Sequence, residues 1–259
     1  MPKNVYYPRT YRRLKNNYVR SGIYLLFTMG LPIYFMTQYL GEFTQFISST
    51  VVVALRQVIP SATAEVGQTT FSFMGNISYV NLESTITTPH YLMAQIIATI
   101  IILIFCVTGK RRNVPFYMFC FFEGLGFLIN CIYFYFKAAD FPYSISDFSQ
   151  LYIKQQLGIW FAFIAIYGIT TAFLGEKGYR YKVASTILLA LYSFVFGLIR
   201  YIVFLYILSK YSALYMYFMY FTLGPLFDFL YLVEIYGILV NKLIKIYDSS
   251  EGENEWAWY

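Results

Sequence analysis

YLMAQIIATIIILIFCVTGKRRNVPFYMFCFFEGLGFLINCIYFYF, residues Tyr91 to Phe136, decides the fold class. Two apolar runs, Tyr91 to Val107 and Val114 to Phe136, flank a short loop, Gly109 to Asn113, that carries Lys110, Arg111 and Arg112. A hydrocarbon core about 30 Å thick asks for about 20 predominantly apolar residues of helix. Each run therefore has the length of one span, and the basic loop joins the two on one side of a bilayer.

The same unit recurs outward from this pair. Blocks at about Ile23 to Leu40, Leu157 to Leu174, Val183 to Leu208 and Leu214 to Val240 bring the count to six. The chain of 259 residues is 59% hydrophobic and only 12% charged, against about 25% charged in a soluble domain. Too few polar groups exist to cover a soluble surface, so the bilayer is the solvent. The expected fold is an all-α polytopic membrane protein. It divides into a basic cytoplasmic tail over 1–22, a six-span membrane domain over 23–240 and a second cytoplasmic tail over 241–259. No small-residue cleavage site follows the first block, which is expected to be a retained span.

Lys and Arg in short loops set orientation, because their translocation is disfavoured. The tail with Lys3, Arg9, Arg12, Arg13, Lys15 and Arg20, the loop at Lys110, the loop with Lys177, Arg180 and Lys182, and Lys242 with Lys245 share a side under a six-span count. Only Arg56, Lys137, Lys154 and Lys210 fall on the other side. Both termini are expected in the cytoplasm of a bacterial plasma membrane. The net charge of +6 comes from residues at the ends of apolar blocks, not from one polar face, so nucleic acid is not an expected partner.

The external segment Gly41 to Pro89 opens with Phe43, Phe46, Ile47, Val51, Leu55 and Val58, an amphipathic helix spacing that Pro60 ends. This helix lies in the interface or continues the first span. TTFSFMGNISYVNLESTI, around Gly75 and Asn76, alternates as a hairpin does. A small external cap over about 41–89 follows. A second external loop is expected over Lys137 to Gln156, with Asp140, Pro142 and Asp147. The acidic C-terminal tail ends in Trp256, Ala257, Trp258 and Tyr259, rings suited to interfacial anchoring or to docking on a partner.

Chemistry is scarce. His90 is the only histidine, and Cys106, Cys120 and Cys131 sit in apolar runs as packing thiols with no metal-ligand spacing. No phosphate-cradling GxxxxGK[ST] or GxGxxG segment occurs, and no metal or other cofactor is expected. Glu123, Arg200, Asp228 and Glu234 lie inside spans, where a charge is costly unless it is paired or faces water. At 1.5 Å per residue, Arg200 lies roughly 27 Å and Asp228 roughly 19 Å from the cytoplasmic ends, within reach of a long guanidinium arm. Glu123 and Glu234, roughly 13 and 10 Å deep, are neighbours in depth and repel if both are charged. These groups form either register-fixing pairs or an ion route. Gly124, Gly126, Gly197, Gly224 and Pro225 suit close helix packing without repeating in two halves as transporter breaks do.

The hairpin FSFMGNISYVN, the approach STITTPHYLM, the basic turn GKRRN and Asn130 together resemble the exosortase and archaeosortase family of multispanning transpeptidases over Thr69 to Phe163. The resemblance implies a catalytic Cys, Arg and His at positions that hold His90, Tyr133 and Lys154 here. A rival alignment puts Gln156 at the Cys and keeps Arg200. Either way the nucleophile is missing, and the resemblance implies a catalytically dead scaffold, accessory to envelope assembly. The expected function is a non-catalytic subunit bound to another membrane protein, such as a polysaccharide synthase (glycosyltransferase) or exporter. The alternatives are a transporter or channel using the four intramembrane charges, or an organellar respiratory-complex subunit.

Overall fold

In hydrocarbon every backbone N–H and C=O has to be bonded within its own segment, so the apolar blocks fold as helices. The computed structural model describes residues 12–14, 16–60, 63–71, 75–83, 88–108, 114–247 and 256–258. Among the described residues, five helical stretches are long and apolar enough to cross a membrane: Tyr18–Gln38, Pro89–Thr108, Val114–Asp140, Tyr179–Lys210 and Ala213–Tyr247. The chain is thus a multi-pass, all-α integral membrane protein with a small two-stranded hairpin.

A short strand, β1 (Arg12–Leu14), precedes the first stretch. That stretch is α1 (Tyr18–Leu25), a π-helical turn Leu26–Gly30, and α2 (Leu31–Gln38). Asn17 opens it by accepting from the amides of Val19 and Arg20 at 3.1 and 3.3 Å. Pro32 lacks the N–H that the Thr28 carbonyl would meet, and the helix widens just before it. Tyr39 leaves the helical region (φ −107°, ψ 23°), so α3 (Leu40–Val58) is a separate helix and not a continuation of the span.

The hairpin pairs β2 (Glu65–Thr70) with β3 (Asn76–Asn81), from Glu65 opposite Asn81 to Thr70 opposite Asn76. Its first strand lies earlier than the alternation suggests. β2 is EVGQTT and has no buried residue, so no apolar period marks it. α4 (Pro89–Thr108) and α5 (Val114–Lys137) follow as expected. The loop Gly109 to Asn113 lies outside the described residues.

The segment Lys137 to Gln156, expected as a loop, is mostly helical. After a 3-10 turn, Ala138–Asp140, α6 runs from Ile145 to Ala172. Ser144 and Asp147 cap its start reciprocally: Ser144 donates through its amide and hydroxyl to the Asp147 carboxylate at 2.8 and 2.7 Å, and the Asp147 amide donates to the Ser144 hydroxyl at 3.1 Å. The first half of α6 carries Asp147, Gln150, Lys154, Gln155 and Gln156. Leu157 to Ala172 is apolar but short, and α6 is not among the five stretches of spanning character. α7 (Tyr179–Lys210) follows. The last stretch contains a 3-10 turn Ala213–Tyr215, α8 (Met216–Phe218), a π-helical turn Met219–Leu223, and α9 (Pro225–Tyr247).

The chain divides into two compact units. The first comprises Met1–Tyr39, Leu157–Val195 and Asp228–Tyr259. In it the end of α6 runs antiparallel to α1: the Ser21 hydroxyl donates to the Ala172 carbonyl at 3.0 Å, Tyr24 bonds Thr171 at 3.0 Å, and Gly168 faces Met29. Asn16 donates to the Phe173 carbonyl at 3.1 Å, and Arg20 meets Glu176 at 3.7 Å. Tyr247 accepts from the Lys177 amide at 2.9 Å and donates to the Leu174 carbonyl at 3.2 Å. Lys182 is buried and donates to the Gly175 carbonyl at 2.6 Å. β1 pairs antiparallel with β4 (Trp256–Trp258), Arg12 opposite Trp258. The aromatic tail therefore engages the other end of the chain through its backbone, while Tyr259 lies outside the described residues.

The second unit comprises Leu40–Gln156 and Phe196–Phe227. One face of α3, with Leu40, Ile47, Val51 and Leu55 buried, packs with β3, where Ile77 and Val80 are buried. Two hydrogen bonds lock that contact. The Ser48 hydroxyl donates to the Ser78 carbonyl, and the Ser78 amide donates to the Thr44 hydroxyl, both at 3.0 Å.

Candidate functional site

Pro225 has no N–H to offer the preceding turn, and Gly224 adopts φ −73°, ψ −89°, outside the helical region. The helix breaks there, and its carbonyls need another donor. Arg200 of α7, 5% exposed, supplies one. Its Nη1 donates to the carbonyls of Gly224 at 2.8 Å and Leu223 at 3.4 Å, its Nε to the Tyr152 hydroxyl at 3.1 Å, and its Nη2 to Gln156 Oε1. The guanidinium also lies 5.6 and 5.4 Å from the ring centres of Tyr152 and Phe196. A planar fork of donors suits several fixed acceptors at once.

The network continues into the hairpin. Tyr152 stacks on Tyr201 with ring centres 4.7 Å apart, and its hydroxyl donates to the Gly197 carbonyl at 2.8 Å. Tyr201 is fully buried; its hydroxyl bonds Ser149 and accepts from the Val80 amide at 3.1 Å. A continuous series of contacts thus links β3 to the helix break through Tyr201, Tyr152 and Arg200. Beside the break, Asn130, Phe148, Tyr217, Tyr220 and Phe221 line a cavity of about 310 Å³. Gln155 holds the Tyr220 carbonyl at 3.4 Å, and Thr222 donates to Glu123 Oε2.

The four intramembrane charges fall in both units. Arg200 and Glu123 belong to the second unit, at the break. Asp228, in the first unit, is buried and accepts from the Tyr231 hydroxyl at 2.8 Å, which bonds Ser193 at 2.6 Å. Glu234 is exposed on α9.

Of the positions aligned with the exosortase pattern, His90 is exposed in the first turn of α4 and Lys154 is half-buried on α6. Asn130 donates to the Leu214 carbonyl at 2.7 Å and Tyr133 to the Asp140 carbonyl at 3.4 Å. Among the described residues no hydrogen bond joins these four, and no group of three or more His, Cys, Asp or Glu is placed to hold a metal ion. Cys131 is buried, and Cys106 and Cys120 are half-buried.

Ser149, Tyr152 and Tyr201 were not among the residues singled out from the sequence, and Gln156 entered only through an alignment. Their signal is the helical spacing Ser149, Tyr152, Gln156, which shows once the segment is read as a helix. Comparison with protein-family models, with curated proteins and with solved structures yields no match. Chemically, the site can clamp a broken helix and tie it to the hairpin.

Proposed function

We propose that the chain is a non-catalytic integral membrane subunit of a larger membrane complex. The observation that carries this reading is Glu234, an exposed carboxylate on α9 flanked by exposed Leu230, Val233 and Ile238. It lies about 12 Å along the helix from Lys242, at a depth where a carboxylate facing lipid tails is costly and a partner's Arg or Lys would relieve it. The exosortase-like resemblance alone supplies the partner class, a glycosyltransferase or exporter of surface polysaccharide in a bacterial plasma membrane. Glu234→Gln should release the partner from complexes cross-linked in native membranes, while the purified chain melts in detergent as before. Retention of the complex by both Glu234→Gln and Glu234→Ala would overturn the reading.

The reading includes six spans and cytoplasmic termini, with α6 as the sixth. Two features support it. Asn16, Arg20, the turn 173–178 and Tyr247 meet at one end of the first unit. The β1–β4 pairing brings residues 12–14 and 256–258 together, which fits an even number of crossings. The basic loops then share the inner side.

A second reading, a transporter, is favoured by the break at Gly224 and the π-helical turn before it, since transported ions and substrates bind at discontinuous helices. Glu234→Gln separates the two. A transport role predicts a normally assembled complex without flux, and the subunit role predicts release of the partner.

A further inference from the structure

Within the first unit, a groove of about 510 Å³ runs between α7 and α9. Its α7 wall presents Ala184, Ser185 and Leu188, and its α9 wall Ile235, Ile238 and Leu239; all are apolar except Ser185, whose hydroxyl accepts from Tyr167 at 2.7 Å. Tyr181, Asn241, Lys242 and Lys245 line it toward the end of α9, and among the described residues no acidic side chain does. Ile235 to Lys245 spans about 15 Å of helix, half of a hydrocarbon core about 30 Å thick. The groove therefore has the height of one leaflet, apolar at acyl-chain depth and cationic at headgroup depth.

Among the described residues the two lysines have no carbonyl or carboxylate partner of the kind that Lys182 has. Lys242 and Lys245 are exposed, and Lys242 Nζ lies 5.2 Å from the ring centre of Tyr181, which draws it across the mouth of the groove. Two ammonium groups one helical turn apart, beside the Asn241 amide and the Tyr181 hydroxyl, suit a phosphodiester. Basic pockets between membrane helices recognise anionic headgroups in this way. We infer that the α7–α9 groove is a binding site for an anionic glycerophospholipid, with its phosphate at Lys242 and Lys245 and one acyl chain along Leu188 and Ile238. Placement in the inner leaflet rests on the topology proposed above; the headgroup chemistry does not.

The test uses the full chain in detergent, titrated with dioleoylphosphatidylglycerol or dioleoylphosphatidylcholine, with bound lipid counted by native mass spectrometry. Phosphatidylglycerol should be retained preferentially. Lys242→Gln with Lys245→Gln should weaken it about 30-fold, at about 1 kcal/mol for each lysine, and Arg at both positions should restore it. Ala184→Trp, which fills the groove, should also abolish retention without lowering the melting temperature. Equal retention by the double Gln variant and the parent would overturn the site, as would displacement of the lipid by inorganic phosphate. Detergent hides sidedness, so a failed topology reading would appear only in membrane labelling and would leave this result standing.

Discussion

Arg200 donates to the carbonyl of Gly224 at 2.8 Å, across the point where Pro225 interrupts the last membrane helix. The same guanidinium reaches Tyr152, Leu223 and Gln156, so no shorter or unforked side chain replaces it. Arg200→Lys should cost about 2 kcal/mol and Arg200→Gln about 4 kcal/mol of stability, because buried carbonyls lose a charged donor. Unfolding in mixed micelles, followed by circular dichroism, measures both.

The Val80 amide has two acceptors, Ser149 Oγ at 3.0 Å and the Tyr201 hydroxyl at 3.1 Å. Either alone keeps it satisfied. Ser149→Ala and Tyr201→Phe should therefore each cost about 1 kcal/mol, and the double variant more than their sum, since only it leaves a buried amide unmet. A double-mutant cycle, with hydrogen exchange at Val80, detects the excess.

If α6 crosses the bilayer, its two ends face opposite solutions. Tyr143→Cys and Glu176→Cys, each in a chain otherwise free of cysteine, should then differ: an impermeant maleimide labels the first from outside and the second only after permeabilisation. Equal labelling of both would place α6 on one side.

Gly178 sits at φ +78° in the turn between α6 and α7, and a Cβ there would run into Leu243. Gly178→Ala should cost about 2 kcal/mol, combining left-handed strain with the steric conflict. Leu243→Ala in the same chain should recover the steric part only, which a thermal melt in detergent can resolve.

Replacing Cys106, Cys120 and Cys131 together by Ala should leave the complex and its product intact, with a loss of about 1 kcal/mol from the buried Cys131. An assembled, cysteine-free chain without biological output would instead require a thiol enzyme.

The long apolar runs were legible because their length alone dictates helix; α4 and α5 end within two residues of the blocks read from sequence. Segments whose order comes from partners were not. β2 buries no side chain, exposes Val66 as its one branched apolar residue, and takes its register from β3. The first half of α6 is too polar to signal a span, and its start was marked only by Ser144 and Asp147. Of the site, Arg200 and Glu123 stand out because charge is rare in apolar runs, while Gly224 and Pro225 read only as members of a set suited to close helix packing. Tyr152 and Tyr201 did not stand out, because among 28 tyrosines no single one does.

The antiparallel pairing of Arg12–Leu14 with Trp256–Trp258 also constrains the order of events during synthesis. The first strand leaves the ribosome long before its mate and stays unpaired while every helix between them is inserted. A helix left outside the bilayer, or one inserted in excess, would strand the two segments on opposite sides of the membrane. With both ends on one side, as proposed above, closure of this clasp would report insertion with the correct parity, and an unpaired edge would mark the chains in which it failed.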